Sequence, residues 1–125
     1  MQLGYLFAGV LLIGLIGLQT QAADLTLVKD GKTGYTIVLS KDASPSEKHA
    51  ARELQRFIRE MSGAELPIAL EGDKSLTRLI VIGDGELVKW LKVPVDFKSL
   101  GDEGFAIKTA GPHLVIAGGR LRGTM

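Results

Sequence analysis

Residues 44–63, Ser-Pro-Ser-Glu-Lys-His-Ala-Ala-Arg-Glu-Leu-Gln-Arg-Phe-Ile-Arg-Glu-Met-Ser-Gly, constrain the fold more than any other stretch. They carry start and stop signals for one helix. Ser44 and Glu47 form the pair of a capping box, in which each side chain bonds the other residue's backbone N–H. Pro45 stands at the first helical position, where a missing N–H costs nothing. Gly63 suits the left-handed residue that ends a helix. Between these signals, Ala50, Ala51, Leu54, Phe57, Ile58 and Met61 recur at three and four residues and make one apolar stripe. Leu54 and Phe57 are expected to point into a sheet. Lys48, His49, Arg52, Glu53, Arg56, Arg59 and Glu60 are expected on the wet side.

The flanking sequence supplies the strands. Leu25–Lys29 and Tyr35–Leu39 are β-rich runs around Asp30-Gly31-Lys32-Thr33-Gly34, a pattern that predicts a hairpin. Leu66–Leu70 predicts a short strand with Pro67 near its start. Leu79–Ile82 is continuously apolar, as in a strand covered on both faces. Glu86–Leu91 predicts a short helix with Leu87, Trp90 and Leu91 on its packed side, and residues 93–103 an irregular connection. Gly104–Thr109 alternates, with Phe105 and Ile107 on one face. Across Gly111-Pro112, His113–Ala117 is expected to pair with it antiparallel. The fold class is α+β, a mixed sheet with one long amphipathic helix on one face. Nothing further in the chain is expected to cover the second face. Residues 118–125 read as the approach to another helix, with Met125 as a truncation point before that covering helix.

The chain has 125 residues, which sets one domain as the ceiling. Its formal charge of +1 and its single Trp give no basic stripe with stacking aromatics, so no nucleic-acid partner is expected. It has no Cys, which excludes disulfides and thiolate metal sites. Residues 1–23 carry no charged side chain, and Leu6–Leu18 is an apolar run ending near Thr20-Gln21-Ala22. That pattern predicts a signal peptide, residues 1–22, and an exported mature chain from Ala23. One feature departs from the pattern, since no Lys or Arg precedes the run. The rival is an uncleaved membrane anchor, because a run of about 20 residues can span a bilayer. The Gly residues and the short apolar core favour cleavage, leaving no membrane association.

Several segments in this order resemble a known module. They are Ala50-Ala51-Arg52-Glu53-Leu54-Gln55, Ser62-Gly63-Ala64-Glu65-Leu66-Pro67-Ile68 and Leu79-Ile80-Val81-Ile82-Gly83. Gly104-Phe105-Ala106-Ile107 and Leu114-Val115-Ile116-Ala117-Gly118-Gly119, running into Arg122-Gly123-Thr124, complete the set. Residues 23–125 resemble the N-terminal domain of glycoside hydrolase family 67 α-glucuronidases and, more widely, the small α/β domain preceding the barrel of β-N-acetylhexosaminidases. The resemblance implies an accessory domain, incomplete at its C-terminus, followed in the parent by a (β/α)8 barrel that carries the catalytic carboxylates. It implies a secreted enzyme acting on xylan-derived or other plant polysaccharide. The alternative is a cell-envelope sugar-binding or structural interaction module without hydrolase activity.

The local candidates for chemistry are weak. Glycosidases need two carboxylates flanking the scissile bond, and Asp102-Glu103, though acidic, reads as a solvated turn. Gly83-Asp84-Gly85 follows a strand and precedes a helix but lacks the spacing of a phosphate loop. Gly118-Gly119-Arg120-Leu121-Arg122-Gly123 would place two guanidinium groups near an anion such as a uronate; a Gly-rich corner is the favoured reading. His49 and His113 have no acidic companion at ligand spacing. Trp90 would serve as a sugar platform if exposed, but its spacing with Leu87 and Leu91 favours core packing. No catalytic residue, metal ligand or cofactor is therefore expected, and the substrate-binding residues remain unknown.

Overall fold

The computed structural model describes residues 24–119. The leader, Arg120, Arg122 and Met125 lie outside the described residues. The elements are β1 (Thr36–Leu39), α1 (Pro45–Ser62), β2 (Ile68–Leu70), β3 (Leu79–Ile82), α2 (Glu86–Trp90), β4 (Phe105–Ala110) and β5 (His113–Gly118). They form a five-stranded mixed sheet of order β2-β1-β3-β5-β4. β1 pairs parallel with β2 and with β3, and β3 pairs parallel with β5. Only β4 runs antiparallel, in register Phe105↔Gly118 through Ala110↔His113.

The expected hairpin does not form. Both edges of β1 are taken by β2 and β3, so no edge remains for Leu25–Lys29. That segment instead turns back on itself at Asp30 (φ 52°) and Gly31 (φ 70°), with a single bridge between Lys29 and Lys32. Leu27 and Val28 pack against the core without joining the sheet.

α1 follows its sequence signals. The Ser44 hydroxyl accepts from the Glu47 N–H (3.1 Å), and the Ser44 N–H donates to Glu47 Oε2 (2.7 Å). At the other end Gly63 is left-handed (φ 76°), and its N–H bonds the Arg59 carbonyl. Ala51 and Ile58 are buried with Ile37, Leu39, Ile80 and Ile82, and Ala50 and Leu54 pack alongside. Phe57 and Met61 depart from expectation, at 48% and 77% exposed. They sit at the margin of the stripe, and the strands on which α1 packs most closely are β1, β2 and β3. The Arg56 guanidinium covers the Phe57 ring from the wet side, 4.2 Å from its centroid. Arg56 also pairs with Glu53 and Glu60, and that bonding holds the Glu53 carboxyl below its ordinary value.

The second sheet face is covered, contrary to expectation. Val38, Leu79, Val81, Val115 and Ala117 pack with Val88 of α2. Leu87, Leu91, Val93, Val95 and Phe97 extend that layer, so the irregular connection after α2 does the work of a helix. Trp90 is not in it: the ring is 72% exposed, because Val88 takes the buried side of this short helix.

Burial therefore ranks the substitutions in α1. Ile58→Ala should cost about 2–5 kcal/mol, through lost transfer energy and the cavity left behind. Phe57→Ala should cost about 1 kcal/mol or less, and Ser44→Ala about 1 kcal/mol through the lost cap. Urea denaturation of the three variants checks the order. A Phe57→Ala loss as large as that of Ile58→Ala would mean that α1 is rotated from this position.

Candidate functional site

In an open parallel sheet, ligands bind outside the carboxyl ends of the strands, where successive connections leave on opposite faces. Here that point lies between β1 and β3. The chain after β1 enters α1 on one face, and the chain after β3 enters α2 on the other. Ser40, Glu71 and the turn Gly83-Asp84-Gly85 follow β1, β2 and β3 respectively. The sequence reading singled out Gly83-Asp84-Gly85 and read it as a turn ending a strand, and it has that form here.

Two carboxylates occupy this crevice. Glu47 accepts from the Ser44 N–H through Oε2 and from the Asp84 N–H through Oε1 at 3.3 Å, so it ties the start of α1 to the turn after β3. Gly83 (φ 89°) lies so close to that carboxylate that a Cβ would overlap Glu47 Oε1. Glu71 accepts from the Ser40 hydroxyl (3.1 Å) and from the Leu87 N–H at the start of α2 (3.3 Å). A Cβ on Gly85 would meet Glu71 Oε2 at 3.0 Å. Backbone N–H groups at helix starts are the usual anchors for a bound anion. In this crevice the chain's own carboxylates take those donors at both helices.

The remaining candidates are dispersed. Asp102 and Glu103 are exposed on the turn before β4. Lys48 and His49 are exposed on α1. His113 opens β5, where its Nδ1 accepts from the Leu79 N–H (3.3 Å), and burial pushes its pKa down. Among the described residues no group of three or more His, Asp or Glu is placed to hold a metal ion. No helix among them is long and apolar enough to cross a membrane. Sequence reasoning recognised Glu47 as a cap but missed its second bond, and it missed Glu71 altogether. Both contacts join elements remote in sequence, and no local pattern carries them.

The model of the family described as Glycosyl hydrolase family 67 N-terminus matches residues 22–125. The chain belongs to this family. Membership makes it a glycoside hydrolase family 67 N-terminal domain, which implies a downstream catalytic domain of α-glucuronidase type in the parent enzyme. A search of the curated proteins found no match.

The two glutamates make a stability prediction. Gly83→Ala should lose about 2–3 kcal/mol, from the left-handed backbone and the displaced Glu47 carboxylate. In a Glu47→Ala background the same change should cost distinctly less, because only the backbone strain remains. A double-mutant cycle by urea denaturation tests this, and strict additivity would show that Glu47 does not hold the turn.

Proposed function

We propose that the chain is the non-catalytic accessory domain of an exported α-glucuronidase-type hydrolase acting on xylan-derived glycans. The observation that carries the non-catalytic reading is the engagement of Glu47 and Glu71. Each uses its carboxylate oxygens to hold backbone or hydroxyl donors within the fold. A general acid or a nucleophile needs an oxygen free to face the glycosidic bond. The exposed pair Asp102-Glu103 sits on one turn as adjacent residues, without the facing geometry that two catalytic carboxylates require. The domain's task is then to pack on the catalytic barrel and shape the approach to it.

The parent enzyme should release glucuronic acid from glucuronosyl xylo-oligosaccharides, and the chain alone should not. Replacing Asp102 and Glu103 by Asn and Gln in the parent should leave kcat within about twofold, since neither touches the reacting atoms. Turnover by the isolated chain that vanishes in that variant would overturn the reading.

One observation favours the second reading, a sugar-binding module: Trp90 presents its ring to solvent. It is the only Trp of the sequence, so its fluorescence reports on that ring alone. Xylo-oligosaccharides should leave the emission unchanged if the domain is purely a packing module. A saturable shift that Trp90→Ala abolishes, together with bound sugar, would establish the sugar-binding reading instead.

Export rests on the charge-free apolar leader and its small residues before Ala23. N-terminal sequencing of the exported parent should begin at Ala23. Membrane-bound material that retains Met1 would show an anchor.

A further inference from the structure

We infer that the open edge of β2 and the basic flank of α1 beside it form one docking groove, which takes an extended acidic segment of a partner protein as an added strand.

β2 ends the sheet, with β1 on one side and no strand on the other. Its ladder to β1 runs through the Pro67 carbonyl, Ala69 and the Glu71 N–H. The Ile37 N–H donates to the Pro67 carbonyl and the Glu71 N–H to the Leu39 carbonyl, both at 2.8 Å. In a parallel strand each residue turns its N–H and C=O to one side, and successive residues alternate. Ile68 and Leu70 therefore direct both groups outward. Pro67 does not blunt this edge, because its missing donor lies on the inner side. The Leu66 carbonyl is taken by the Gln55 side-chain amide (2.8 Å), which marks where the open edge begins. Ile68 stands beside Ile37 and Leu70 beside Leu39, so both side chains lie on the α1 face. They are 36% and 53% exposed there.

α1 supplies a wall above this edge. Gln55 reaches the chain just before β2, so its flank overlooks β2. Lys48, Arg52 and Arg59 stand at i−7, i−3 and i+4 from Gln55 and share that flank. All three are exposed. The acidic residues of the helix are engaged elsewhere: Glu53 and Glu60 with Arg56, and Glu47 with the cap and the Asp84 N–H. Glu71, at the far end of β2, is held by Ser40 and the Leu87 N–H. Among the described residues Lys48, Arg52 and Arg59 form no ion pair. The row spans about 16 Å of helix, the reach of about five strand residues.

The groove selects its occupant. Outward N–H and C=O groups in strand register are met by the backbone of another strand, whereas an acidic glycan would meet only the basic row. Alternate side chains of the added strand fall beside Ile68 and Leu70, below Lys48, Arg52 and Arg59. Glu suits those positions: its methylenes cover the two apolar side chains and its carboxylate reaches the row. A second copy is a poor occupant, because pairing β2 with β2 brings two basic walls together.

Fluorescence anisotropy with the full parent protein tests this. The probe is a labelled, end-blocked peptide of about eight residues that alternates Glu with Thr, long enough to follow the row. It should bind saturably, and its Lys-for-Glu counterpart should not. Arg52→Glu combined with Arg59→Glu should weaken binding by on the order of tenfold. Salt at about 1 M, where the screening length is about 3 Å, should weaken it too. Leu70→Pro removes one outward N–H, leaves the ladder to β1 intact and should abolish binding. If that variant does not fold, N-methylation of alternate peptide amides probes the same bonds from the other strand. One of the two methylation patterns should abolish binding and the other should spare it. No binding overturns the inference, as does binding that survives both patterns. Displacement of those methylated peptides by a glucuronate-bearing xylo-oligosaccharide would assign the row to an acidic glycan and overturn it equally. Dimerisation of the protein that the peptide competes away would give the edge to a second copy, with the same result. Hydrolysis plays no part in the readout, so a parent lacking hydrolase activity would sink the proposed function and leave this test intact.

Discussion

The position of β1 governs this structure. It is a four-residue strand flanked by parallel partners on both sides, and Ile37 at its centre is fully buried. A parallel strand cannot return through a tight hairpin, so each neighbour of β1 is reached by a crossover. α1 supplies the crossover to β2, and the loop after β2 carries the chain past β1 to β3. The same pairing expels Leu25–Lys29 from the sheet and fixes where α1 can lie. The buried face of α1 is small at Ala51 and branched at Ile58, which suits a helix lying on strands of isoleucine and leucine.

This topology also creates a crevice where many α/β proteins hold an anionic ligand, and here the crevice is occupied from within. Glu47 and Glu71 each connect a helix start to another strand's exit, and the adjoining Gly83 and Gly85 leave room for their carboxylates. The energetic logic is that of charge-assisted hydrogen bonds to backbone donors that would otherwise seek water or a ligand. The same donors then become fastenings between the two layers.

Elements whose signals are local were legible in the sequence. The capping box, Pro45 and Gly63 marked both ends of α1, and the apolar run Leu79–Ile82 and the turn Gly111-Pro112 marked β3 and the β4–β5 pair. What sequence did not reveal depends on partners distant in the chain. Phe57 and Trp90 have the spacing of packed residues, yet their exposure depends on which strands lie beneath them. Residues 93–97 alternate Val93, Val95 and Phe97 with Pro94 and Asp96 yet form no strand, and their apolar side chains complete a core layer. Tyr35 is a further case: its hydroxyl donates to the Pro112 carbonyl (2.8 Å), which lies 77 residues on. At the candidate site, Glu47 was visible as half of a cap, and Glu71 as nothing more than an acidic residue after a strand.

The end of β5 has a mechanical consequence. A Cβ on Gly119 would overlap the Gly101 carbonyl oxygen, and one on Gly104 would overlap that of Leu100. Bare backbone is thus packed on bare backbone where the chain leaves the sheet. Adjacent glycines commonly act as a swivel. Gly119 is instead clamped between the turn and the strand by its bond to Gly104. Any side chain introduced at Gly104 or Gly119 would therefore have to push the 100–104 turn away from the end of β5, and the loss would fall on the pairing of β4 with β5.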